Sequence, residues 1–101
     1  PVSDTLKTAT RESGVTQTVS RENLWYAQTP QLFPVALLQE GLKKAGAENL
    51  KCTDDAQAIE YLGLQPRIVA GSCHNLKITT GSDLSLAGAI VDLQERVPCS
   101  E

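Results

Sequence analysis

Apolar residues recur along the chain in stretches the length of single elements. Polar clusters part them: Asp4-Thr5-Leu6-Lys7, Ser20-Arg21, Gln28-Thr29-Pro30-Gln31, Thr53-Asp54-Asp55 and Asn75-Leu76-Lys77-Ile78-Thr79. From Val15 to Val19 the order Val, Thr, Gln, Thr, Val alternates with period two, which predicts a half-buried strand. Pro1 to Lys7 reads as extended, with Val2 and Leu6 as its apolar positions, and Thr8 to Gly14 reads as a polar turn. Together these predict a hairpin-like arm. So few large apolar residues bury little surface alone, so the arm needs a second surface from its own subunit or from a partner.

Beyond the arm the period changes. Ser20 is a candidate cap for a short helical turn, Leu24 to Ala27 a short packed element, and Thr29-Pro30-Gln31 a chain break, because proline restricts its predecessor and removes a donor. Val35, Leu37, Leu38, Leu42 and Ala45 fit an amphipathic helix with Pro34 in its first turn and Gly46 at its end. Thr53 is the expected cap of a second helix that carries Ala56, Ile59, Leu62 and Tyr61 and stops at Gly63. Short strands are expected at Arg67 to Ala70 and at Leu76 to Thr79. A last helix with Leu84, Leu86, Ala87, Ile90, Val91 and Leu93 follows, capped by Thr80 or Ser82, and Pro98 opens a loose tail. Strands alternating with helices predict an α/β layer structure.

Composition narrows the function classes. With 101 residues, one domain is the expectation, and 41% hydrophobic residues are compatible with a core, although aromatics make up only 4%. A net charge of -3 gives no global attraction to nucleic acid or to an anionic membrane, so neither is expected as a partner. No run of 18 apolar residues predicts a transmembrane helix. Cys52, Cys73 and Cys99 lack the close thiol pairs of a structural zinc site. They are expected to be reduced cysteines with no shared role, though their spacing leaves one disulfide open.

The polar blocks place cations beside hydroxyls and carboxylates, as a phosphate-handling surface requires. Lys77 comes first: if Leu76 to Thr79 is a strand, Asn75, Lys77 and Thr79 project to one side as an amide, an ammonium and a hydroxyl, with Asn75 and Thr79 positioning. A lysine at a strand end ahead of a helix reaches phosphate oxygens as a mobile point charge; the plainer alternative is a solvated edge lysine. Arg21 can fork onto a phosphate or pair with a surface carboxylate. Thr5 and Thr29 offer hydroxyls that serve structure equally well. Asp54 and Asp55 suit magnesium by ligand type, but helix capping explains them more simply. His74 is the only histidine, so a multi-histidine zinc centre is excluded. In a strand, Cys73 and His74 would point to opposite faces, and no acidic orienter accompanies Ser72 and His74 for a hydrolase triad.

Taken in order, the blocks resemble the C-terminal half of 2-C-methyl-D-erythritol 4-phosphate cytidylyltransferase. They run from Pro1-Val2-Ser3-Asp4-Thr5-Leu6-Lys7 through Thr18 to Phe33, then Thr53-Asp54-Asp55-Ala56, Glu60-Tyr61, Gly71, Asn75-Leu76-Lys77-Ile78-Thr79 and Asp83-Leu84. The resemblance covers roughly Pro1 to Ile90. It implies the C-terminal portion of a three-layer α/β/α Rossmann-like nucleotidyltransferase fold, with a protruding β-arm at residues 3–20 that exchanges across a homodimer. It further implies cytidylyl transfer from CTP to methylerythritol phosphate with Mg2+ present, in the cytoplasm, on the non-mevalonate isoprenoid route. By the same resemblance Thr5 and Arg21 would hold the acceptor of the neighbouring subunit's site. Lys77 would stabilise negative charge, Thr29 would orient substrate or the arm's return, and Thr53 and Asp54 would lie at the site's rim.

The family's glycine-rich N-terminal loop and its magnesium-carrying acidic residue have no match here. The expectation is therefore that residues 1–101 are one portion of a single nucleotidyltransferase domain, with the N-terminal portion of the same gene product as partner and metal ligands mainly there. Two alternatives stay open. One is a cytidylyltransferase for another sugar or polyol phosphate, and the other is a noncatalytic dimerisation module in which Arg21 and Lys77 form ordinary ion pairs.

Overall fold

The alternating stretch folds as a hairpin. In the computed structural model, which describes residues 1–97, β1 (Leu6–Ala9) pairs antiparallel with β2 (Val15–Val19). Pro98 and Cys99 lie outside the described residues. Leu6 faces Val19 and Lys7 faces Thr18, but Ala9 faces Val15, so the ladder is irregular beside Thr16. Thr8 and Thr16 share a hydroxyl hydrogen bond of 2.7 Å, and the Lys7 ammonium donates to the Thr18 hydroxyl. These cross-strand pairs draw Thr8 and Ala9, expected in the turn, into the strand. The turn closes at Thr10, which donates its N–H to Gly14 and accepts from Ser13.

The hairpin packs against no helix among the described residues. The expected helical turn after it is instead a tight turn: Leu24 N–H donates to Arg21 O, and Asn23 adopts φ 60. Asparagine tolerates that left-handed conformation, which interrupts a helix.

α1 (Val35–Ala47) begins one residue later than expected, with Pro34 as N-cap. It also runs past Gly46. Asn49 at φ 54 turns the chain, donating to Gly46 O while Leu50 N–H donates to Ala45 O, so the last carbonyls are satisfied beyond the glycine. α2 (Asp55–Glu60) is capped by Asp54, not Thr53, and Gly63 at φ 79 ends the turn that follows.

α1 and α2 pack on each other through Gly41 and Ala45 against Ala58 and Ile59, all buried. A Cβ on Gly41 would lie 2.4 Å from Ala58 O, so only glycine admits this approach. That selects the contact line and leaves Val35 and Leu42, expected in the buried stripe, on an exposed face. Lys44 Nζ donates to Tyr61 O at 2.8 Å, placing a cation at the carbonyl end of α2.

α3 (Gly81–Arg96) starts with a capping box in which Thr80 and Asp83 exchange side-chain and backbone hydrogen bonds. None of its residues is buried, and it packs on no other element. The strands expected at 67–70 and 76–79 do not form, because the one sheet among the described residues is the β1–β2 hairpin and neither segment pairs with it. Ile68 and Val69 are 65% and 86% exposed as a result. The radius of gyration is 17.8 Å, against about 13 Å for a compact chain of this length. No helix among the described residues is long and apolar enough to cross a membrane.

The α3 cap carries a pH dependence. Backbone and hydroxyl hydrogen bonds from Thr79, then Thr80, hold the Asp83 carboxyl below its ordinary value of 3.8. A depressed folded pKa means that Asp83 contributes stability above 3.8 and loses it as pH falls through the lower value. The protection factors of the Leu84 and Ser85 amides, with the pH dependence of intrinsic exchange divided out, are expected to stay flat down to about pH 4 and to fall below it. Asp83→Asn is expected to remove that acid limb, and an unchanged limb would assign it to another group.

Candidate functional site

The candidate residues fall into three groups. Thr5 precedes β1 and Arg21 follows β2, so the pairing of Leu6 with Val19 brings both to the base of the hairpin. Val2 N–H donates to Leu24 O at 2.9 Å and closes that base. Both candidate side chains are exposed there.

Thr29, Asp54 and Asn75 line one cleft of about 650 Å³, whose apolar wall includes Trp25, Phe33 and Ile68. Gln31 ties the cleft to α2. Its Nε2 donates to Asp54 Oδ2 at 3.0 Å, and its Oε1 accepts from Ala56 N–H at 3.0 Å. Asp54 Oδ1 accepts from Gln57 N–H at 2.9 Å and caps α2, so both carboxylate oxygens are engaged, one by the helix and the other by Gln31. Thr53 is one step outside, its N–H and hydroxyl both donating to Gln57 Oε1.

The third group is Lys77 and Thr79 on the approach to α3. The row expected of Asn75, Lys77 and Thr79 is corrected, because no strand forms there. The Asn75 amide turns back to donate to Thr29 O, the Thr79 hydroxyl donates to Asp83 Oδ2 at 2.9 Å, and Lys77 is exposed between them. Cys73 and His74 likewise sit in a turn closed by Asn75 N–H to Ser72 O at 3.1 Å, not on opposite strand faces. The described cysteines, Cys52 and Cys73, are free thiols.

Neither Arg21 nor Lys77 lines the cleft; the cationic side chain in its lining is Arg67. The cleft can hold a ligand by stacking on Trp25 and by hydrogen bonds from amides and hydroxyls, and the one carboxylate in its lining, Asp54, is engaged by Gln31 and Gln57. Magnesium does not fit these residues: among the described residues no three metal-ligating side chains converge, and Asp54 is committed to its cap. Two residues given no role from sequence, Gln28 and Gln31, hold the segments together. Their placement on either side of Thr29-Pro30 in one polar block was the available signal.

The model of the family described as IspD, 2-C-methyl-D-erythritol 4-phosphate cytidylyltransferase, matches residues 1–93. The chain is 43% identical over 96 residues to the 2-C-methyl-D-erythritol 4-phosphate cytidylyltransferase of Shewanella amazonensis, covering 95% of this chain and 40% of that protein. It is 52% identical over 94 residues to that of Halorhodospira halophila, covering 93% and 38%. The crystal structure of the enzyme of that name from Thermus thermophilus superposes with a TM-score of 0.82 at 39% identity, over 91% of this chain and 45% of that one. The chain thus spans about 40% of the length of the curated relatives it matches.

Proposed function

The chain belongs to the 2-C-methyl-D-erythritol 4-phosphate cytidylyltransferase family, and from that membership we propose that it is the C-terminal portion of such an enzyme. In this reading the whole protein transfers a cytidylyl group from CTP to 2-C-methyl-D-erythritol 4-phosphate. An acceptor phosphate oxygen bonds to the α-phosphorus of CTP, the bond from that phosphorus to the bridging oxygen breaks, and pyrophosphate leaves. The product is 4-diphosphocytidyl-2-C-methyl-D-erythritol, on the cytoplasmic non-mevalonate route to isoprenoids.

The observation that carries the reading is the family match over residues 1–93, a range that spans every one of the polar blocks. The exposed faces support it. α3 has no cover, and Ile68 and Val69 lie unpaired, as expected where further strands of a Rossmann-like three-layer fold add to this portion. The hairpin standing clear of the helices suits an arm that reaches a second subunit. Thr5 and Arg21 at its base would hold the neighbour's acceptor phosphate. Thr29, Thr53 and Asp54 would border the site, Asn75 and Thr79 would position it, and Lys77 would offset developing charge. Ligands for Mg2+ belong to the portion this chain does not match, and none of the roles above passes through the metal.

The same free-standing hairpin favours the second reading, a noncatalytic dimerisation module. The deciding assay is pyrophosphate release from CTP by the full-length protein, with either methylerythritol phosphate or ribitol 5-phosphate as acceptor. Methylerythritol phosphate is expected to raise the rate at least about 10²-fold over the other acceptor, since a site built for one set of hydroxyls leaves polar groups unpaired with another. Equal rates would move the acceptor to another polyol phosphate, and no release with either would leave the module.

A further inference from the structure

The geometry points to Gln28 as a positioning residue that sets where Lys77 stands relative to Thr29, an inference resting on the reading of Lys77 given above. The Gln28 Nε2 donates to Ser72 O and to Asn75 O, both at 3.1 Å. Those carbonyls are the two ends of the turn closed by Asn75 N–H to Ser72 O. One amide nitrogen therefore spends both hydrogens on one turn, and the turn answers, since Asn75 Nδ2 donates to Thr29 O on the residue next to Gln28. Two segments more than 40 residues apart are interlocked by three amide hydrogen bonds.

Gly71 makes the interlock fit. A Cβ there would lie 2.5 Å from Gln28 Oε1, so a bare backbone lets the glutamine lie across this segment. Lys77 follows Asn75 by two residues, at most about 7 Å of extended chain. No ladder holds residues 76–79, so the position of the lysine backbone is set by the interlock on one side and by the Thr79–Asp83 hydrogen bonds on the other. Holding an exposed glutamine in one rotamer costs side-chain entropy, which the three bonds offset.

The test is a double-mutant cycle in the full-length protein, with kcat, both KM values and thermal melts measured for Gln28→Glu, Gln28→Met, Lys77→Ala and each double variant. Glutamate keeps the shape and loses both donors; methionine keeps the length without adding charge. Each Gln28 variant is expected to lower kcat about tenfold, because small misplacements of a charge-compensating group are costly. KM for CTP and acceptor should stay within about twofold, and each double variant should turn over within about twofold of Lys77→Ala alone, the non-additivity of residues acting as a unit. If Lys77→Ala turns over at the unmutated rate, the reading of Lys77 fails and the inference with it. If Lys77→Ala is slow but the Gln28 variants are not, or if the losses multiply in the doubles, the role of Gln28 alone is overturned.

Discussion

Lys77→Ala is expected to lower turnover of the full-length protein about 10²- to 10³-fold, the range for removing one preorganised stabiliser of transition-state charge. The proposed reaction would spread negative charge over phosphoryl oxygens and ask little covalent chemistry of the protein. An ammonium on a flexible stem would act there by position and charge. Lys77 is exposed, flanked by Asn75 and Thr79, each held by its own hydrogen bond, so the alanine variant removes a charge without removing a packing contact. Association of subunits, measured by sedimentation, should therefore change little. Equal and small effects on turnover and association would favour the dimerisation module.

The second large effect falls on stability. Gly41→Ala drives a Cβ to 2.4 Å from Ala58 O and 2.8 Å from Ala58 C, both backbone atoms that no rotamer change can move. Overpacking of this kind costs about 3 kcal/mol, offset by about 1 kcal/mol of better helix propensity, for a net loss of about 2 kcal/mol. Gly46 lies in the same helix with nothing within 4 Å of the corresponding position, so Gly46→Ala is expected to gain up to about 1 kcal/mol. Opposite shifts in the urea midpoints check both. A gain at both sites would mean that α1 and α2 do not meet at Gly41.

Recognition of the family from ordered blocks agrees with the match over residues 1–93. Much of the local structure was also legible. The hairpin follows from period-two alternation, α1 from its apolar spacing, α3 from its apolar positions after a cap at Thr80 or Ser82, of which the structure uses Thr80, and the stop after α2 from Gly63. Errors at boundaries came from competing local solutions: Asp54 capped where Thr53 was expected, and Asn49 turned the chain where Gly46 was expected. The strands at 67–70 and 76–79 failed as elements for another reason, since a strand is defined by a neighbour.

The candidate site divides the same way. Thr29, Asp54 and Asn75 were visible as polar residues in ordered blocks, but their shared cleft was not, nor was the exclusion of Arg21 and Lys77 from it. By itself the sequence determined what is settled within about one turn of chain, because caps, turns and amphipathic spacing act between residues up to four apart. Tertiary structure alone decided the rest: the close approach of Gly41 to Ala58, the reach of Gln31 to Asp54, and the interlock of Gln28 with Ser72 and Asn75. Each joins groups 17 to 47 residues apart, where no periodicity reports the pairing and only the folded backbone brings donor to acceptor.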